Sequence, residues 1–314
     1  MKIAVASGKG GVGKSMVASS LAILFSRDKK LVAVDADVDA PNLHLWLGEA
    51  GEGKKPANSL TPEVSANLTS GASLGRLSSW DSIEPLSTNR HPIIDQEKCT
   101  LCRKCVDICQ FDALSIENNE LKVNKFFCEG CGACAEVCSE GAITMEPVNN
   151  AEIRTKEGTN YGFPLISAQL KPGETGSGKI VDEIKARAEG YNYEMLLIDV
   201  PAGTGCPVIS ALKDVDFAVL VTEPTPSGLS DLRRVLEVVN HFKVPFGVVI
   251  NKWNINTDLS SQIESDFEGN ILGKISYDKD VFKAISNLTP VLETDLNAVG
   301  ELEAVFENLI NYLL

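Results

Sequence analysis

The chain has 314 residues, 44% of them hydrophobic, which is enough to bury the core of one large α/β domain with an insertion or of two domains, and which excludes a mostly disordered protein. A formal net charge of −14 argues against the sequence-independent phosphate contacts of a nucleic-acid binder and against attachment to an anionic membrane surface. No apolar run reaches the roughly 18 residues of a transmembrane helix, and Met1-Lys2 leads into an apolar stretch rather than a signal peptide, so a cytoplasmic protein is expected. In that reducing setting nine cysteines read as metal ligands rather than disulfides, and eight of them lie between Cys99 and Cys138.

The short apolar run Ile3 to Ala6 reads as a strand and Met16 to Phe25 as a helix, and between them lies Gly8-Lys9-Gly10-Gly11-Val12-Gly13-Lys14-Ser15. This spacing is a phosphate cradle: glycines let successive backbone N–H groups turn inward on the β- and γ-phosphates of a nucleotide. Lys14 supplies a point charge, Ser15 an oxygen for Mg²⁺, and the following helix its positive end. Taken alone, Lys9 would be an ordinary solvated lysine. Read with its neighbours, the segment resembles the deviant Walker A loop of the MinD/ParA/nitrogenase iron protein class of ATPases. The resemblance implies that Lys9 reaches across an ATP-closed homodimer to the partner's phosphates. Relatives usually carry Thr, which touches the α-phosphate, where this chain has Met16.

Leu31 to Val34 is a second buried strand, the next parallel strand of a βαβ unit, and Asp35, Asp37 and Asp39 follow at its carboxyl end. An Asp before the Pro41-Asn42 turn can be ordinary capping chemistry. Beside the phosphate loop, and by its likeness to the Walker A′ segment of the same class, Asp37 is assigned to position the attacking water next to Mg²⁺. From Gly48 to about His91 periodicity fades into a connector with at most one short strand pair, its apolar residues scattered as Leu60, Val64, Leu74, Trp80 and Ile83.

Cys99, Cys102, Cys105 and Cys109 are followed by Cys128, Cys131, Cys134 and Cys138, one spacing pattern repeated after 29 residues. Close C-x2-C spacing lets thiolates converge on one cubane while the fourth cysteine of each run serves the other cluster. One [4Fe–4S] cluster should therefore take Cys99, Cys102, Cys105 and Cys138, and the other Cys128, Cys131, Cys134 and Cys109. Such pairs also bind Zn²⁺, although two identical four-cysteine runs favour clusters. Residues 93–146 resemble a bacterial two-cluster ferredoxin, with repeated strands at Asp112 to Ile116 and Gly141 to Met145. Gln110 and Ser139 stand where that family usually has proline, which bears on cluster stability and potential.

Residues 151–172 read as a hairpin returning to the main sheet, Ser177 to Ala188 as a helix, and Met195 to Asp199 as a strand ending in the Walker B carboxylate, with Asp199 on the Mg²⁺ shell. Pro201 to Gly205 resembles the nucleotide-sensing switch of the class, which implies that Gly203 senses the γ-phosphate through its N–H. Cys206, the ninth cysteine, reads as a small buried hydrophobe or a reactive thiol. Phe217 to Val221 and Phe246 to Ile250 are further core strands around a Leu229 to Phe242 helix, and the class implies that Asn251 reads the adenine edge. The helix from Leu296 to Leu314 is acidic, unlike a basic membrane-binding tail.

The expected architecture is α/β, a mostly parallel doubly wound P-loop sheet over residues 1–90 and 148–314 with an α+β ferredoxin-like domain inserted at 91–147. The expected cofactors are ATP or ADP, Mg²⁺ and two [4Fe–4S] clusters. The leading functional expectation is an ATP-dependent homodimer whose nucleotide state gates electron transfer to a redox or iron–sulfur partner protein, with no nucleic-acid or membrane partner. The alternatives are an iron–sulfur cluster carrier of the Mrp/Nbp35 type and a MinD/ParA-like positioning switch with a redox sensor.

Overall fold

The computed structural model describes residues 1–47 and 80–313. The first stretch carries β1 (Lys2–Ser7), α1 (Lys14–Ser26), β2 (Leu31–Asp35) and the short α2 (Leu43–Trp46). After residue 80 come β3 (Ser82–Leu86), β4 (Asn89–Ile94), α3 (Lys104–Ile108), β5 (Leu114–Glu117), β6 (Glu120–Val123), α4 (Ala133–Glu136), β7 (Ile143–Val148), β8 (Ala151–Lys156) and β9 (Leu165–Leu170). The remainder alternates helix and strand: α5 (Ser177–Glu189), β10 (Met195–Ala202), α6 (Cys206–Leu212), β11 (Phe217–Thr222), α7 (Pro226–His241), β12 (Phe246–Asn251), α8 (Thr257–Asp266), β13 (Ile271–Ile275), α9 (Asp280–Ser286) and α10 (Asn297–Leu313).

Among the described residues the main sheet has the order β13-β12-β11-β1-β10-β2-β9-β8-β3. Its pairs are parallel from β13 to β9, while β8 runs antiparallel to both neighbours. Successive side chains of each central strand point to opposite faces, so both faces need cover. Ala4, Ala6, Val32, Val34, Leu196 and Ile198 pack under α5, α6 and α7. Ile3, Val5, Leu31, Leu197, Phe217 and Val219 pack under α1 and α10. Each large aliphatic buried this way contributes about 1.5–3 kcal/mol. Helix α1 is apolar on nearly all sides because it is sandwiched between the sheet and α10, with Phe25 edge-on to Phe306 at 4.9 Å.

Strands β1 and β2 run parallel in one sheet and are joined by α1, the βαβ unit expected, with β10 lying between them, which sets the residues after β1 and the carboxylates of β2 and β10 beside one another. The structure differs from the sequence expectation in two ways. Strand β10 does not stop at Asp199 but continues to Ala202, because Ser7 extends β1 far enough to pair with Ala202. The connector from Gly48 to about His91, with Leu60, Val64 and Leu74, lies outside the described residues up to 79; Trp80 and Ile83 are described, and β3 and β4 pair with β8 and β7 rather than with each other. The 151–172 stretch forms the antiparallel pair β8–β9.

Residues 89–148 form a cysteine-bearing module with two small sheets, β4–β7 and β5–β6, and a hydrophobic cluster of its own around Leu114, Leu121 and Ile143. The 29-residue repeat is visible in the backbone. Leu101, Arg103 and Asp112 adopt positive φ in the first run, and Gly130, Gly132 and Gly141 do so at the equivalent places in the second.

Candidate functional site

The carboxyl ends of β1, β2, β10, β11 and β12 converge on one rim, where open α/β sheets bind ligands. Gly8 to Gly13 forms the loop between β1 and α1, and Gly13 caps the helix at φ 93°. A Cβ at Gly13 would fall 2.1 Å from Nδ2 of Asn251, so only glycine lets the loop lie against that amide. Asn251 is committed at both ends: Nδ2 donates to the Val12 carbonyl at 2.7 Å, and Oδ1 accepts from the Lys252 N–H at 2.9 Å. Gly10 and Gly11 are exposed on the outer side of the loop, Val12 is buried beneath it, and Met16 is buried with its methyl end near Gly13.

Lys14 is buried and donates to Asp199 Oδ1 at 2.5 Å, with Ser15 Oγ 3.3 Å away. The second oxygen of Asp199, Oδ2, is buried without a partner. Asp35 lies opposite Asp199 in the β2–β10 register and is fully buried. Its Oδ1 accepts from the N–H of Asp37 at 3.1 Å and its Oδ2 from Leu43 at 2.9 Å, so it shapes the turn that presents Asp37. Burial, reinforced by the charge of Asp199, pushes the Asp35 carboxyl up to about 7. Burial also raises the Asp37 carboxyl, against the opposing pull of Lys14. Carboxylates thus crowd a single ammonium, and an unpartnered buried oxygen points to missing positive charge. The donor set of Ser15, Asp37 and Asp199 fits a hard, oxygen-preferring cation such as Mg²⁺.

Gly203 follows β10 and donates its N–H to the Ser7 carbonyl at 3.0 Å, so a phosphate would compete with the loop for that donor. Cys206 begins α6 and is exposed, which removes the expectation of a small buried hydrophobe there. Lys9 is folded back on its own chain, donating to Glu223 Oε1 at 3.0 Å and to Ser227 Oγ at 3.2 Å. Lys252 donates to Glu223 Oε2 at 2.9 Å and to the Gly11 carbonyl at 2.9 Å. Sequence reasoning missed Glu223 and Lys252; the one available signal was that both sit at strand ends on the rim.

The cysteines are sorted by the fold. Cys99, Cys102, Cys105 and Cys138 line one cavity, together with Arg103 and Lys104. Cys109, Cys128, Cys131 and Cys134 line a second, together with Phe111 and Met145. Among the described residues no three His, Cys, Asp or Glu side chains close on a common point as a single-ion site would require. The fourth sulfur of each run is held alike: Cys109 Sγ accepts from the Ala113 N–H at 3.4 Å and Cys138 Sγ from the Ala142 N–H at 3.3 Å. Burial raises the thiols of Cys105 and Cys128 and pushes that of Cys134 up to about 11. Thiols lining a cavity, with N–H donors on their sulfurs, fit a group that carries positive metal and takes thiolate ligands.

Among the described residues no helix is long and apolar enough to cross a membrane. A family model described as the CobQ/CobB/MinD/ParA nucleotide binding domain matches residues 3–291. An uncharacterised protein of Methanocaldococcus jannaschii is 37% identical over 313 residues, covering 100% of this chain and 98% of its own. The pyruvate synthase subunit PorD of Thermotoga maritima is 40% identical over 68 residues, which are 21% of this chain and 67% of that subunit. In fold, the septum site-determining protein MinD of Pyrococcus horikoshii, complexed with Mg-ADP, is similar at a TM-score of 0.55 and 16% identity, covering 99% of this chain and 96% of that one.

Proposed function

This chain belongs to the CobQ/CobB/MinD/ParA nucleotide-binding family, and from that premise we propose that it binds and hydrolyses ATP, closes as a homodimer on ATP, and thereby controls electron delivery from two [4Fe–4S] clusters to a partner protein. The observation that carries this reading is the sorting of eight cysteines into two cavities, three from one run and the fourth from the other, in a chain that also pairs Lys14 with Asp199 beneath a phosphate loop. The partial likeness to a pyruvate synthase subunit, over 68 residues, adds support to a redox role for the chain.

In this reading the loop N–H groups and Lys14 bind the phosphates, Ser15 and Asp199 orient Mg²⁺, and Asp37 orients the attacking water. Each cluster supplies a one-electron store. The chain's part is to hold the thiolates, to place the N–H groups of Ala113 and Ala142 on the sulfurs of Cys109 and Cys138, and to shape the polarity around each cavity. Arg103 and Lys104 beside the first cavity and Phe111 and Met145 beside the second make the two environments electrically unequal.

The test is an anaerobic preparation, reduced and followed by EPR and redox titration without nucleotide, with MgADP and with a non-hydrolysable MgATP analogue, each with and without the partner once found. Two cluster signals whose midpoint potentials move with nucleotide are expected. Clusters indifferent to nucleotide in the partner's presence would end the gating reading. A preparation that takes up no cluster after reconstitution would end the assignment of the eight cysteines.

A further inference from the structure

Glu223 is the point where the two lysines at the lip of the phosphate loop meet. Its side chain is 11% exposed, directly after β11, and each carboxylate oxygen accepts from a different ammonium, Lys9 at 3.0 Å and Lys252 at 2.9 Å. Its surroundings are fixed. Strand β11 is held between β1 and β12, and Thr225 Oγ1 caps α7 by accepting from the Gly228 N–H at 3.0 Å. Lys252, at φ 57°, is tied as well to the Gly11 carbonyl, so one carboxylate touches side chains bound to both the start and the middle of the loop. Burial works against ionisation of Glu223, but the two lysines outweigh it and hold its carboxyl below the usual carboxylate range.

An ammonium occupied by a carboxylate is not available to a phosphate until that pair opens. The Lys9 side chain is 38% exposed, so its pair with Glu223 is a weak hold, and the several negative charges of a bound polyphosphate can displace it. We propose that Glu223 is the positioning residue that keeps Lys9 on its own chain in the nucleotide-free protein and yields it to a bound polyphosphate, setting the nucleotide concentration at which Lys9 becomes usable. This inference rests on the nucleotide-binding reading above. Lys252 remains on the other oxygen of Glu223, so the carboxylate stays anchored while Lys9 leaves.

The experiment is calorimetric titration of the full chain with Mg-AMPPNP, comparing wild type, Glu223→Gln, Lys9→Met and the double variant. Glu223→Gln should lower the half-saturating Mg-AMPPNP concentration about threefold to tenfold, and the same change in the Lys9→Met background should leave it unmoved. Equal gains in both backgrounds would mean that removing a negative charge, not releasing Lys9, is responsible, and would overturn the proposal. A weaker affinity in Glu223→Gln would overturn it too, by giving the carboxylate a loop-ordering role alone. Glu223→Asp keeps the charge with a shorter reach and should fall between wild type and Glu223→Gln; it serves where the glutamine variant does not fold. Folded wild-type protein that binds no Mg-AMPPNP would overturn the nucleotide reading and this inference together, whereas binding by wild type with a flat response to Glu223→Gln overturns the inference only.

Discussion

Around the phosphate loop, all but the buried Oδ2 of Asp199 in this set is met by the chain's own groups: Lys14 by Asp199 Oδ1, the Asp35 oxygens by two backbone N–H groups, and Glu223 by Lys9 and Lys252. In the cysteine module, by contrast, the buried centre of Leu114, Leu121 and Ile143 is completed by the thiols of Cys105 and Cys134. The loop sits on a sheet whose two faces bury dozens of apolar side chains, so its geometry survives as folded polypeptide. The module has about 60 residues, a size at which an apolar core alone is marginal and metals or crosslinks usually supply the rest. The contrast teaches that nucleotide binding should be a property of the bare chain, and that order in the module should depend on what its thiols hold.

Withholding or chelating iron should have the largest effect, and it should be confined to one region. Hydrogen exchange is expected to show residues 89–148 opening while amides of β1 and α1 stay protected; equal protection with and without iron would break the contrast. Next in size, Lys14→Ala should weaken nucleotide binding at least about 100-fold by calorimetry and, by stranding Asp199 beside Asp35, cost about 3–5 kcal/mol in denaturant unfolding. Its iron content should match wild type, since Lys14 takes no part in holding the thiols.

A smaller effect tests the module against itself. A Cβ at Gly130, at φ 66°, would lie 2.1 Å from Asn89 Oδ1 and 2.5 Å from the Arg90 carbonyl. Gly130→Ala should cost about 1–3 kcal/mol and lower iron loading, read by unfolding and iron assay. At the equivalent place in the first run, Leu101 already tolerates φ 54° while its side chain packs on the module's hydrophobic cluster, so Leu101→Gly exchanges that packing for relief of backbone strain and should cost less loading than Gly130→Ala; equal losses from both would break the distinction. A pH-dependent effect of similar size lies far from both sites. Lys185 donates to the carbonyls of Ser210, Ala211 and Lys213 at the end of α6, and burial brings its ammonium down to about 8. Between that pH and about 10.4 the unfolded chain holds a proton that the folded chain has released, so this residue makes stability rise with pH, by at most about 1.4 kcal/mol per pH unit. Lys185→Met should flatten that rise in unfolding measured from pH 8 to 10.

What rests on local spacing was legible in the residues alone. Gly8 to Ser15 reads as a phosphate loop whatever lies around it, the apolar runs at Ile3, Leu31, Met195, Phe217 and Phe246 are long enough only for buried strands, and the 29-residue cysteine repeat announces a two-fold module. Packing in three dimensions settled which strand divides β1 from β2, how Asp199 comes to face both Lys14 and Asp35, and that Cys206 is exposed. It also decided that Lys9 rests on Glu223 of its own chain, 214 residues away, and that Asn251 is spent on the loop backbone. The physical reason is one of range. Helix and strand patterns and ligand spacings are set by neighbours a few residues apart, whereas the partners of a rim side chain are set by strand order, and strand order comes from burying both faces of the sheet at once.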